Sequence, residues 1–299
     1  MSISESHRFA AQLEKKSFLV TMEVNPPKGT DLSEITRAME RVKGLVDAIN
    51  VTDGSGAIMR ACPLAVAKVV LDAGVDPILQ LTCRDRNRLA LQADLLGASI
   101  LGIRNLLLLT GDDPKAGDHP EAKPVFDINS ATFMQVARGL TQGKDMAGKE
   151  LVGVPQFCIG AAADPGAKDL EVEMQKFKAK IDGGAAFFQT QAVFDAAPLR
   201  AFMERAKPFG KPVLAGILLV KSAKMARYMN EHVWGIHVPD ALINRFEQAS
   251  DKRAECIAVT AELIRAVRDV ANGIHLYALG WEEMIPDILK TSGIESLIH

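Results

Sequence analysis

Eight short apolar runs recur along this chain, each followed by a stretch long enough for a helix. No other feature constrains the fold as tightly. The runs are FLVTME (18–23), AINVTD (48–53), PILQLTC (77–83), NLLLLTG (105–111), GVPQFCIGAA (153–162), AFFQTQ (186–191), PVLAGILL (212–219) and GIHLYAL (273–279). Near-continuous apolar stretches of this length suit parallel strands covered on both faces. Between them, residues 31–47, 63–74, 85–102 and 170–184 space their apolar residues for helices, several ending in glycine (Gly74, Gly102, Gly183). Asp31 and Asp195 stand where N-caps would open their helices. The count and phase predict a (β/α)8 TIM barrel, in which residues just past the strand ends line the active site. A doubly wound open sheet is the competing architecture. It leads one to expect a glycine fingerprint after the first run, where EVNPPKG stands instead.

The barrel is expected to be one domain over residues 1–299 with its core at 15–293, a length such barrels often reach. Two intervals depart from simple alternation. Residues 112–130 form a long loop rich in proline and charge, expected to belong to the active site. Residues 221–272 hold about three helices where one would connect the flanking runs, so extra helices late in the chain are expected.

Composition narrows the function classes. Lys and Arg number 35 against 37 Asp and Glu, a net charge of −2, which leaves no electrostatic footprint for nucleic acid or an anionic membrane. Hydrophobic residues make up 48%, enough for a continuous core. No apolar segment reaches the ~18 residues of a membrane span, and the polar N-terminus lacks the apolar centre of a secretory signal. A cytoplasmic protein is expected. Cys62, Cys83, Cys158 and Cys256 are widely scattered and read as buried small hydrophobes; no metal site is expected. The six histidines show no helical pairing and read as surface or loop residues.

Most of the runs end in a polar, charged or small residue. Glu23 is either an acid with partial burial or an ion-paired glutamate at the rim. Asp112 follows Thr110-Gly111, and glycine there lets backbone approach a ligand; the alternative is a turn aspartate before Pro114. Thr52 begins the small polar turn TDGSGA. Gln191 offers an amide donor and acceptor suited to the edge of a heterocycle, or is tied to a neighbouring loop. Lys180 on its helix is a ligand contact or an ordinary solvated lysine.

Together TMEVNPP, NVTDGSGA, QLTCRDRNR, LLLLTGDDP, FFQTQAVFD and AGILLVKSAKMARYMNE resemble the methylenetetrahydrofolate reductase family, most closely its short bacterial type, over residues 15–293. The resemblance implies a flavoprotein barrel that interconverts 5,10-methylenetetrahydrofolate and 5-methyltetrahydrofolate, with FAD (or FMN) bound and NADH or NADPH as co-substrate. By position it implies Glu23 as the acid that protonates N10, and Asp112 as a carboxylate near the pterin and the flavin. It implies Gln191 as the residue that bonds the pterin and meets the nicotinamide. Thr52, Gln80, Thr82, Thr110, Gly111, Asp112, Phe126, Asp127, Asp164, Lys180 and Ala185 fall at or near flavin-contacting positions, and Thr52 also borders the substrate.

The chain departs from the family pattern at several places. Asp164-Pro165 replaces a stacking tyrosine, Gln80 a common histidine, and Lys176 and Ala179 stand where relatives carry Asn and Arg. Arg84, Arg86 and Arg88 compensate in phosphate binding or open a solvated helix. Ala223 takes the place of a substrate-stacking aromatic, and Trp281 that of an arginine; Trp281 is expected to stack on the p-aminobenzoyl ring instead. Two further readings remain open: a flavin subunit fed electrons by a partner protein, and a flavin-independent folate-binding barrel. Homo-oligomers are common in the family.

Overall fold

A computed structural model describes residues 8–233 and 235–294. The eight apolar runs become eight parallel strands: β1 (Leu19–Val24), β2 (Ala48–Val51), β3 (Pro77–Thr82), β4 (Asn105–Leu109), β5 (Cys158–Ala163), β6 (Phe187–Ala192), β7 (Val213–Leu218) and β8 (Gly273–Tyr277). They pair in sequence order and close, with β8 against β1 in the register Thr21↔His275. The closed parallel barrel with alternating helices is the TIM barrel that the run pattern predicts.

Around it stand α2 (Ser33–Val42), α3 (Pro63–Asp72), α4 (Arg88–Ile100), α5 (Ser130–Thr141), α6 (Leu170–Asp182) and α7 (Ala196–Ala206). Between β7 and β8 come three helices, α8 (Ala223–His232), α9 (Asp240–Gln248) and α10 (Lys252–Val267), and α11 (Ile285–Ser292) closes the order. The extra helices therefore fall where expected. Among the described residues no helix is long and apolar enough to cross a membrane.

Three local expectations are corrected. An additional helix, α1 (Arg8–Lys15), precedes β1 and buries Phe9 against Phe187, edge to face at 5.2 Å. Its apolar face rests on Phe9 and Leu13 in a segment of only eight residues that precedes the first apolar run. The fifth strand begins at Cys158, not at residue 153: Pro155 lacks an N–H for the ladder, and Val152 and Val154 are exposed. Asp195 caps α7 through the Ala197 N–H (2.9 Å), but Asp31 accepts from Ser33 (2.9 Å) one residue ahead of the cap position, which Leu32 occupies. The glycines read as helix stops do stand at helix ends: Gly74 and Gly102 are left-handed, and Gly183 caps α6 ahead of the left-handed Gly184 (φ +107°).

The core lies in two shells. Outside the barrel, strand side chains meet the helices, as where Phe177 of α6 stacks 3.9 Å from Phe188 and meets Phe202 at 5.3 Å. Inside, strand alternation stacks the inward residues in layers. The lowest is apolar, with Leu19, Ala48, Ile78, Leu107, Phe187 and Leu214 closed by Phe9. One step up are Thr21, Asn50, Gln189 and His275, all buried. Above them, at the C-terminal mouth, stands Glu23.

Candidate active site

Glu23, at the end of β1, is only 7% exposed, yet its carboxylate accepts no hydrogen bond from any described residue; His275 Nε2 lies 3.8 Å from Oε2. His275, read from sequence as a surface or loop residue, is fully enclosed: β8 turns alternate residues inward, so His275 and Tyr277 both face the barrel interior. The two rings meet edge to face at 4.7 Å. Tyr277 donates its hydroxyl to the Thr190 carbonyl at 2.8 Å. Burial, then the charge of Glu23, push that hydroxyl above the ordinary tyrosine range.

Thr52 sits just past β2 and gives its hydroxyl to Asn25 Oδ1 at 2.8 Å. Gln80, 7% exposed on β3, makes no side-chain hydrogen bond with any described residue, and neither does the partly buried Gln191. Gln191 lies in a register shift between Gln189 and Ala192 of β6, the kind of irregularity that re-aims a side chain. Thr82 is otherwise engaged: its N–H and hydroxyl both serve Asp53 Oδ2 (2.8 and 2.9 Å), which also pairs with Arg86 at 2.6 Å.

The long 112–130 loop is docked on its neighbours. Gly117 lies so close to Ala57 that a Cβ there would fall 1.8 Å from the Ala57 carbonyl oxygen. Asp118 takes the Met59 N–H (2.9 Å) and pairs with Lys28, while Val125 and Phe126 donate to the carbonyls of Arg84 and Cys83 (2.7 and 3.2 Å). Asp112 is exposed at the rim and holds the Gly56 N–H at 2.9 Å. Gly111 (φ +96°) packs against Thr82, and Thr110 is exposed with its hydroxyl 3.2 Å from Ser130 Oγ. Phe126 takes a left-handed backbone (φ +39°), uncommon for an aromatic residue. Asp127 forms a two-point pair with Arg88 (2.8 and 2.9 Å), which holds its carboxyl down at about 2.

The three arginines proposed for phosphates are thus already committed: Arg84 to Asp85, Arg86 to Asp53 and Asp94, Arg88 to Asp127.

On the β5 side, Lys180 reaches back along α6 to the Ala162 carbonyl at 2.7 Å, and burial lowers its ammonium below the usual lysine range. Burial raises the half-buried Asp164 carboxyl, whose Oδ1 accepts the Gly166 N–H at 3.0 Å. Ala185 is not brought to this mouth. It precedes β6, at the strand's N-terminal end, and donates its N–H to the Lys180 carbonyl at 3.0 Å; a residue before a barrel strand faces the opposite pole. Ala223 is buried in the first turn of α8. Lys221 Nζ lies 5.1 Å and the Arg253 guanidinium 5.2 Å from the centre of the Trp281 ring.

Of the cysteines, Cys83 and Cys256 are buried as expected, whereas Cys62 is exposed at the start of α3. Among the described residues no cluster of three or more His, Cys, Asp or Glu is arranged to hold a metal ion.

Sequence reasoning passed over Asn50, Gln189, His275 and Tyr277. Their signal was a spacing of two inside the strand runs: Gln189 with Gln191, and His275 with Tyr277, share one face.

Comparison with known proteins matches this architecture to one family. A family model described as methylenetetrahydrofolate reductase covers residues 8–293. Methylenetetrahydrofolate reductase 1 of Schizosaccharomyces pombe is 25% identical over 94% of this chain and 47% of its own length. The 5,10-methylenetetrahydrofolate reductase of Escherichia coli is 24% identical over 92% of this chain and 90% of its own. The chain thus spans about half the length of the fungal and nematode relatives and nearly all of the bacterial one.

Among solved structures, an uncharacterized Clostridium thermocellum protein that binds two copies of 5-methyl-5,6,7,8-tetrahydrofolic acid superposes with a TM-score of 0.63 at 14% identity, over 97% of this chain and 99% of that one. A 2,3-dimethylmalate lyase does so with a TM-score of 0.55 at 14% identity, over 99% and 90%. At such identity these two speak for the barrel alone. Since the family model spans the whole barrel, mouth included, the chain belongs to the methylenetetrahydrofolate reductase family.

Proposed function

We propose that this chain interconverts 5,10-methylenetetrahydrofolate and 5-methyltetrahydrofolate, using a bound flavin and NADH or NADPH. The observation that carries the reading is Glu23. Keeping a carboxyl almost wholly buried with no hydrogen-bond donor is costly unless a ligand or a change of protonation compensates it. Family membership supplies the substrate class, because Glu23 holds the family's acid position.

The amides of Gln80 and Gln191, which no described residue hydrogen-bonds, fit the edge of a flat heterocycle. Lys180 is bonded to a carbonyl rather than to a carboxylate. Thr52, Gln80, Thr110, Gly111 and Lys180 are therefore the residues that would hold a flavin. Such a group supplies a hydride to the folate carbon and is recharged by the nicotinamide.

The chain's own work is acid–base and electrostatic. Glu23 gives its proton to N10 as the bond from the methylene carbon to N10 breaks, leaving a cation at N5. Gln191 orients the pterin. The Asp112 charge stabilises the cation, provided the carboxylate exchanges its Gly56 N–H for the substrate. Trp281 takes the p-aminobenzoyl ring, with Lys221 and Arg253 beside it.

The test is to release the cofactor and identify it by mass, then follow each half-reaction of the purified chain. Glu23→Gln is expected to slow folate reduction by roughly 10²-fold or more and to leave nicotinamide-driven flavin reduction unchanged. Equal loss in both halves contradicts an acid acting on folate. A yellow protein inert to both nicotinamides favours a partner-fed subunit, and a colourless protein that cannot be reconstituted favours a flavin-independent barrel. Trp281→Ala is expected to weaken folate binding; unchanged affinity removes the stacking role.

A further inference from the structure

The interiors of these barrels are ordinarily packed with bulky branched apolar side chains, and the lowest layer here follows that rule. The layer beneath Glu23 does not. Thr21, Asn50, Gln189 and His275 are each at most 2% exposed, and all four are polar. Such a layer is tolerable only when its donors and acceptors match, and the match here has a direction.

Asn50 Nδ2 donates to Gln189 Oε1 at 2.7 Å, and Gln189 Nε2 donates back to Asn50 Oδ1 at 3.0 Å. Turning both amides over together would preserve this pair, so the Nε2 side of the His275 ring decides the orientation: a carboxyl oxygen of Glu23 faces Nε2 and favours the ring proton there, which turns the Gln189 NH2 toward Nδ1. That NH2 also faces Thr21 Oγ1 (3.1 Å) and His275 Nδ1 (3.2 Å). The Thr21 hydroxyl stands 2.9 Å from the same Nδ1, while its other acceptor, the Ile274 carbonyl, is 3.4 Å away. Nδ1 is then met from below by an amide N–H and a hydroxyl, the partners its lone pair needs when the ring proton is on Nε2. Nε2 is the ring nitrogen that faces Glu23.

We propose that His275 is the positioning residue of Glu23: a neutral imidazole, locked with its proton on Nε2 by Thr21 and Gln189, that donates to Oε2 and so presents the other carboxyl oxygen to the substrate. The proposal rests on the reading of Glu23 as the acid of folate reduction. A neutral donor suits an acid that alternates between carboxyl and carboxylate. It supports the anion left after proton transfer, and it adds no positive charge beside the substrate cation. The 3.8 Å gap is of the kind that closes when a ligand fills the mouth.

The experiment uses holoenzyme labelled with 15N-histidine, together with His275→Leu, His275→Gln, Thr21→Val and Glu23→Gln. In the wild type one histidine, absent from both His275 variants, is expected to carry its proton on Nε2 and a lone pair on Nδ1. Its Nε2 signal moves in Glu23→Gln and its Nδ1 signal moves in Thr21→Val. In single turnover His275→Leu slows folate reduction by roughly 10- to 100-fold, the scale of one lost hydrogen bond to a charged group. Folate affinity and flavin reduction stay within about twofold. His275→Gln, which keeps a neutral N–H donor, recovers part of the rate.

The proposal is overturned by a proton on Nδ1, by an Nε2 signal indifferent to Glu23→Gln, or by a His275→Leu enzyme of normal speed. It is also overturned if His275→Gln is as slow as His275→Leu with both half-reactions equally damaged. Should His275→Leu fail to fold, Thr21→Val keeps the imidazole and the side-chain shape, and an unmoved Nδ1 signal then overturns the lock. A wild type that turns over no folate sinks the functional reading, while the nitrogen spectra still decide the contact between His275 and Glu23.

Discussion

Asn50 and Gln189 exchange two hydrogen bonds at the centre of the barrel, and neither amide has water to fall back on. Asn50→Leu therefore strands a buried Gln189, and a loss of about 1–3 kcal/mol is expected, read from the urea midpoint at unchanged slope. Adding Gln189→Leu should cost less than the sum of the single changes, because no orphaned amide remains; strict additivity would show that the two amides act separately. These residues were hidden in the sequence for a physical reason. Glu23, Asp112 and Gln191 stood out because each ends an apolar run, whereas Asn50, Gln189 and His275 lie within runs. Whether such a residue points into the barrel or out to the helices depends on strand phase. The spacing of two carried that phase, linking Thr21 to Glu23, Gln189 to Gln191, and His275 to Tyr277.

The loop between β4 and α5 shows the same division among elements. Its length, prolines and charges were legible, but its docking depends on carboxylates whose partners lie far away in sequence. Asp118 meets Lys28 and Met59, and Asp127 meets Arg88. Both carboxyls are held below the ordinary aspartate range, chiefly by side-chain hydrogen bonds to Lys28 and to Arg88 respectively. A depressed folded pKa means that the clasp is complete above about pH 4 and is lost as pH falls toward about 2. Pepsin is therefore expected to cut near the exposed Phe126 faster at about pH 3 than at about pH 4.5. The double variant Asp118→Asn with Asp127→Asn should be cut faster than the wild type at about pH 4.5 and should lose most of the difference between the two pH values. Equal cutting of the wild type at both pH values would show that other contacts, such as Gly117 against Ala57, hold the loop. The strands themselves were readable to within a residue or two, except where Pro155 shortened β5.

The whole molecule separates its tasks between two poles. The mouth holds Glu23, Gln80 and Gln191, polar groups that no described residue hydrogen-bonds. The opposite pole is closed by Phe9, which meets Phe187 and whose N–H bonds Asp76 Oδ2 at 2.6 Å. Residues at the N-terminal pole of such barrels serve stability while the C-terminal pole serves chemistry. The polar layer of Thr21, Asn50, Gln189 and His275 separates the plug from Glu23. Phe9→Ala should therefore remove a large buried ring and cost about 3–5 kcal/mol, seen as a lower urea midpoint. Below that midpoint, kcat and the KM for folate are expected to stay within about twofold of wild type, because the deletion leaves the polar layer and the mouth in place. A Phe9→Ala enzyme that keeps its fold but loses folate turnover would instead show that a shift at the plug travels through the layer to Glu23.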